Sequence, residues 1–126
     1  MSTIVDLRTY SFDPGKMKAF LALFERDGLP LYRQYCGTLI GYFTSARDDV
    51  EQLFHLWAYA SAEDRDERRA RLYADARWQT FLESALPLIR DQESRLVEPA
   101  GFSPPISLPK AASTEPPSPG ETAAQT

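Results

Sequence analysis

The one histidine of this 126-residue chain, His55, lies in Leu53-Phe54-His55-Leu56-Trp57-Ala58-Tyr59. The run is alternating and aromatic-rich, the pattern of a β-strand. Side chains two apart share a strand face, so Leu53, His55, Trp57 and Tyr59 line one side and Phe54, Leu56 and Ala58 the other. The second set has the character of ordinary core. The first combines a proton-transfer group with two polar-tipped aromatics, the character of a pocket wall. An imidazole with an ordinary pKa of about 6.5 exchanges protons near neutrality, which makes His55 a candidate general acid–base. Trp57 and Tyr59 could sandwich a flat, apolar ligand. The competing readings are a hydrogen-bonded structural histidine and a tryptophan that only packs.

A second chemical group precedes it. In Ile4 to Tyr10, alternation puts Val5, Leu7 and Thr9 on one face and Asp6, Arg8 and Tyr10 on the other. An interior Arg8 would hold an anionic or carbonyl oxygen, and Tyr10 or Tyr42 would polarise an enolising carbonyl as hydrogen-bond donor. An Asp6–Arg8 or Arg8–Glu93 pair is the competing structural use of these charges. A single histidine without paired carboxylates is too few ligands for zinc, whereas heme needs only one axial histidine. Phosphate loop, dinucleotide fingerprint and nucleophile elbow are all missing. No cofactor and no metal are therefore expected.

These residues need a frame. Asp13-Pro14 predicts a helix cap and first turn, followed by Met17, Phe20, Leu21, Phe24, Leu31, Tyr32 and Tyr35 at helical spacing. Pro30 should kink or split that helix, and Gly37 should close it as a C-terminal glycine. Thr38 to Thr44 predicts a second strand, Ser45 to Asp49 a turn, and the His55 strand completes a hairpin. Ser61 with Asp64 forms a capping-box signature, and the charged helix after it runs to about Ala74. Asp75 caps another helix carrying Trp78, Phe81, Leu82 and Ala85. Leu88 to Val97 predicts the last strand, with Gln92 and Ser94 alternating with Glu93 and Arg95. The order βαββαβ is the α+β, ferredoxin-like split motif with an antiparallel sheet. Its helix-free face is expected to carry Tyr10, Tyr42, His55, Trp57 and Tyr59. Two such sheets facing each other in a homodimer would cover them.

Composition narrows the function classes. A net charge of −4 argues against nucleic acid. Arg65, Arg68, Arg69 and Arg71 alternate with Glu63, Asp64, Asp66 and Glu67, the pattern of a solvated helix face. Cys36 is alone, so no intrachain disulfide forms. No apolar run approaches the roughly 20 residues of a membrane span, and a soluble cytoplasmic protein is expected. Residues 1–102 form the domain. From 103 to 126, Pro104, Pro105, Pro109, Pro116, Pro117 and Pro119 lie among small polar residues, the composition of a disordered tail.

Several stretches, in order, resemble the NIPSNAP family. They include Asp6-Leu7-Arg8-Thr9-Tyr10, Pro14-Gly15, Leu29-Pro30, Gly41-Tyr42-Phe43-Thr44, His55-Leu56-Trp57-Ala58-Tyr59-Ala60-Ser61, Trp78, Phe81 and Gln92-Glu93-Ser94. The resemblance runs across residues 4–99 and implies a dimeric α+β barrel. That superfamily hosts monooxygenases, polyketide cyclases, dehydratases and heme enzymes. The chain departs from the family pattern at Asp48-Asp49-Val50-Glu51 and at Asp75-Ala76. The functional expectation is a cofactor-independent enzyme of isomerase, cyclase or lyase type, possessing a barrel pocket for a small, partly apolar metabolite, as in a biosynthetic pathway. His55, Tyr10 and Tyr42 would act on that metabolite, and Arg8, Trp57 and Tyr59 would hold it. The alternative is a binding or accessory protein that leaves its ligand unchanged.

Overall fold

A computed structural model describes residues 3–47 and 49–108. Strand β1 (Ile4–Ser11) leads into α1 (Lys16–Leu23), a π-helical turn (Phe24–Gly28) and α2 (Leu29–Tyr35). Strands β2 (Thr38–Thr44) and β3 (Gln52–Tyr59) form the hairpin. Then come α3 (Ala62–Ala74), α4 (Ala76–Ala85), a 3₁₀ turn (Leu86–Leu88) and β4 (Asp91–Val97). The antiparallel sheet has the order β2-β3-β1-β4. The α+β ferredoxin-like expectation holds. Among the described residues no helix is long and apolar enough to cross a membrane.

Pro30 does split the first helical stretch, through a π-turn that ends at its doorstep. Two caps differ from expectation. Asp13 does not cap α1. The carboxylate of Glu51 instead accepts from the backbone N–H groups of Gly15 and Met17, at 2.6 and 3.1 Å. It stabilises the positive helix end from the far side of the β2–β3 hairpin. Gly37 is not left-handed, since Gly15 (φ 85°) is the positive-φ residue among those described. Gly37 is needed for space, because a Cβ there would stand 1.9 Å from the Ala58 carbonyl oxygen. Ser61 and Asp75 cap α3 and α4 as expected, accepting from Asp64 N–H and Arg77 N–H.

The faces of the sheet are reversed from expectation. Register puts Asp6, Arg8, Tyr10, Tyr42, Leu53, His55 and Trp57 on one side, with Gln92 and Ser94 of β4. That side lies under the helices. Phe20 packs edge-on against Tyr10, Phe24 stacks on Tyr42, and Tyr32 meets Trp57 at 4.8 Å. The buried Tyr59 belongs to the same core cluster. The helix-free face carries Leu7, Thr9, Phe43, Phe54 and Leu56, with Glu93 and Arg95 at its β4 edge. The physical reason is partner supply. Phe20, Phe24 and Tyr32 supply ring partners that enclose this face without a second molecule, and the hydroxyls of Tyr42 and Tyr59 and the Nε2 of His55 are buried there without a hydrogen-bond partner among the described residues.

Beyond β4, the chain passes from one sheet edge to the other. The hydroxyl of Thr38, in β2, donates to the Ser107 carbonyl at 2.9 Å, and Ile106 and Leu108 are half-buried. Most of the tail expected to be disordered lies outside the described residues.

Candidate functional site

A cavity of about 200 Å³ lies between the helix-covered sheet face and the helices. Its polar end is built by Arg8 and Tyr10 of β1, Tyr32 of α2, Arg69 of α3 and Gln92 of β4. Phe20, Phe24, Trp78 and Phe81 add aromatic wall beside these residues, Phe20 at 5.6 Å from the Tyr10 ring and Trp78 at 5.4 Å from that of Tyr32. The π-turn contributes to this wall. It places Phe24 on the cavity, and a Cβ on Gly28 would stand 2.6 Å from the Phe24 ring and 2.9 Å from that of Phe81. Glycine at that position lets the two rings close over the backbone.

Arg8 is 8% exposed and is held at two points. Its Nε–H donates to the Tyr10 hydroxyl and its Nη1 to the Asp6 carboxylate, each at 3.3 Å. Asp6 is fully enclosed and also accepts from Arg65 Nε at 2.9 Å and from the Ser94 hydroxyl at 2.6 Å. Burial alone would raise this carboxyl, but the Ser94 hydrogen bond and the two arginines hold it below the usual range. The Asp6–Arg8 pair anticipated from the sequence therefore exists. The Arg8–Glu93 pair does not, because Glu93 is on the other sheet face opposite Thr9.

The arginines of α3 are not simply a solvated face. Arg68 is buried, with its Nε on Asp64 at 3.0 Å and its Nη1 reaching the Tyr35 and Cys36 carbonyls at the end of α2. Arg69 is half-buried and donates to the hydroxyls of Tyr32 (2.8 Å) and Tyr73 (3.4 Å). Its guanidinium also lies over both rings, at 5.8 and 5.5 Å. The signal was in the spacing. Arg65, Arg68, Arg69 and Leu72 follow i, i+3, i+4, i+7, and Leu72 is fully buried. A stem-packing arginine can occupy such an apolar position.

His55 is 0% exposed and does not line the cavity. It sits one layer behind, edge-on to Tyr10 at 4.9 Å and stacked on Tyr42 at 4.6 Å. Its Nδ1 accepts from Trp57 Nε1–H at 2.8 Å, so in the neutral ring the proton is on Nε2, which finds no partner among the described residues. Burial, with the Arg8 guanidinium adding to it, pulls its pKa down to about 3. Enclosed this way, His55 offers no exposed ring nitrogen with which to act as an axial ligand to heme. Tyr42 and Tyr59 are pushed well above the ordinary phenol range by burial. Of the six residues singled out from sequence, the structure brings Arg8 and Tyr10 to the cavity and gathers His55, Tyr42, Trp57 and Tyr59 in the core beside it. Among the described residues, no group of three or more His, Cys, Asp or Glu side chains is placed to hold a metal ion.

A family model described as NIPSNAP matches residues 5–104. Protein NipSnap homolog 1 of Danio rerio is 32% identical over 103 residues, covering 82% of this chain and 36% of that protein. The chain thus spans about a third of that relative's length. Among solved structures, a NIPSNAP family protein from Agrobacterium tumefaciens superposes with a TM-score of 0.77 at 40% identity, covering 81% of this chain and 97% of the other. A NIPSNAP-like domain protein from Burkholderia xenovorans gives 0.79 at 36%, covering 90% and 97%. A dimeric ferredoxin-like protein from an uncultured marine organism shares the fold alone, at 12% identity and a TM-score of 0.59, over 84% of this chain and 95% of its own.

Proposed function

This chain belongs to the NIPSNAP family, and from that premise we propose that its helix–sheet cavity binds a small, partly apolar molecule through a carbonyl-type oxygen. The Arg8–Tyr10 hydrogen bond carries the proposal. The Tyr10 oxygen accepts from a guanidinium, so its own proton is polarised and left for a ligand oxygen. Aromatic and aliphatic walls surround this donor, the usual make-up of a small-molecule site. The cavity-lining residues include no carboxylate and no imidazole, which favours binding over acid–base turnover. A fragment screen by ligand-observed NMR tests this. Hits on the wild type should be lost in Ala85→Leu, which fills the cavity floor. Retention of the same hits by a folded Ala85→Leu protein would defeat the proposal.

The contact between His55 and Tyr10 favours a second reading, proton-transfer catalysis of isomerase, cyclase or lyase type. Arg8 and Tyr10 would then stabilise a developing enolate, and His55 would act only through Tyr10. With a substrate in hand, Tyr10→Phe and His55→Gln should both lower kcat, and His55→Gln, at a position that does not line the cavity, should leave binding of that substrate largely intact. Wild-type turnover in both variants would remove this reading.

A homodimer is part of the proposal, by the helix-free face. Leu7, Phe54 and Leu56 are half-buried there and Phe43 is 55% exposed, a patch suited to a second copy. Light scattering should give two chains at micromolar concentration for the wild type and one for Leu56→Glu. A well-folded wild-type monomer would overturn it.

A further inference from the structure

We infer that the ligand of this cavity is an anion, a carboxylate carrying a small aryl or short acyl group, held between Arg8 and Arg69. The inference rests on the binding reading above and adds the ligand's charge and the residue that senses it. It begins from an imbalance. Asp6 is the carboxylate paired with Arg8, and it is shared with Arg65, which stands closer, at 2.9 against 3.3 Å. Among the described residues, Arg69 donates hydrogen bonds to phenol oxygens only. Arg65 also has its own partner in Asp66, at 3.0 Å, so Asp6 is the one carboxylate set against the two guanidinium groups that face this small cavity from β1 and α3, and one positive charge is left over.

Arginine stays protonated in a protein, so this charge is permanent. Desolvated positive charge without a full counter-ion is unfavourable until an anion neutralises it. The donors needed are also in place. Among the described residues Arg8 makes hydrogen bonds through Nε and Nη1 only, leaving Nη2 for a ligand. The phenols of Tyr10 and Tyr32 each accept from an arginine and keep their own protons to donate. A carboxylate, with two oxygens and four lone-pair sites, matches two guanidinium and two phenol donors better than a neutral carbonyl does. Phe20, Phe24, Trp78 and Phe81 account for the rest of the molecule, and the volume restricts it to about one ring or a short chain.

The test is calorimetric titration of the full chain with phenylacetate and with phenylacetamide, its neutral isostere, for wild type, Arg69→Gln and Arg69→Lys. Arg69 is half-buried at the cavity edge, so its replacement is compatible with folding, checked by circular dichroism. Phenylacetate should bind wild type at least about tenfold more tightly than the amide, the effect of a charge-assisted hydrogen bond. Arg69→Gln should remove most of that preference without weakening the amide, and Arg69→Lys should restore part of it. Equal affinity for acid and amide in the wild type would overturn the anion assignment and leave cavity binding standing. Binding of neither at millimolar concentration would overturn both. An acid preference unchanged in Arg69→Gln would overturn the role of Arg69.

Discussion

The indole N–H of Trp57 donates to Nδ1 of His55 at 2.8 Å, two residues apart on the same face of β3. Both side chains are almost completely enclosed. Each satisfies a polar atom of the other, and together they fix the imidazole's tautomer and orientation beneath Tyr10 and Tyr42. Removing the indole N–H in Trp57→Phe leaves Nδ1 without a donor in an apolar site. We expect a loss of about 1–3 kcal/mol in urea denaturation, on top of the smaller ring's packing loss. A loss under half a kilocalorie would show that water reaches Nδ1.

The same enclosure gives the protein an acid-side instability. The His55 pKa is about 3 in the fold, against about 6.5 in the unfolded chain. Between these values the unfolded state takes up a proton that the native state refuses. Stability is therefore intact above pH 6.5 and falls as pH drops toward 3. From pH 6.5 to 4.5 the loss should be about 2–3 kcal/mol, and His55→Gln should flatten the curve over that span. Melting curves at several pH values check it. Parallel slopes for both proteins would refute it.

Asp6 anchors the opposite side of the site. Asp6→Asn would leave the buried Arg8 without its carboxylate, while Arg65 would keep Asp66. The expected cost is about 3–5 kcal/mol, the penalty for breaking a buried pair by removing one partner. Chemical denaturation gives the number. A change below about 1 kcal/mol would mean that Arg8 swings to solvent when released.

Gly37 is a purely steric requirement. Gly37→Ala would put a Cβ against the Ala58 carbonyl, just before the first β2–β3 pair, Thr38 with Ala58, and the chain entering β2 or the end of β3 would have to move. We expect a loss of at least about 1–3 kcal/mol. Gly15→Ala provides the contrast, since nothing lies within 4 Å and only its φ of 85° opposes a side chain. About 1 kcal/mol is expected there. Equal melting temperatures for the Gly37→Ala protein and the wild type would show that the approach relaxes freely.

The order of elements is legible along the chain, because strand alternation, helical spacing and capping residues are local properties. Thr38 to Thr44 became a strand over the span expected, with a register shift between Leu39 and Gly41, and Ser61 and Asp75 cap helices because a short polar side chain reaches its own next turn. The pairing of Asp6 with Arg8 was legible for the same reason, as was the presence of Arg8 and Tyr10 on one face. Which sheet face the helices cover is fixed by packing between distant segments. Both faces of β3 are apolar enough to be buried, and the choice depends on partners supplied from elsewhere in the chain: Phe20, Phe24 and Tyr32 from the first helices, Arg65 from α3, Ser94 from β4. Such packing likewise decided that Glu51, not Asp13, caps α1, and that Arg69 leaves a charged surface pattern to face the cavity. Those contacts join residues tens of positions apart; spacing marks the buried face of α3 on which Arg69 lies, but not the residues that it meets there.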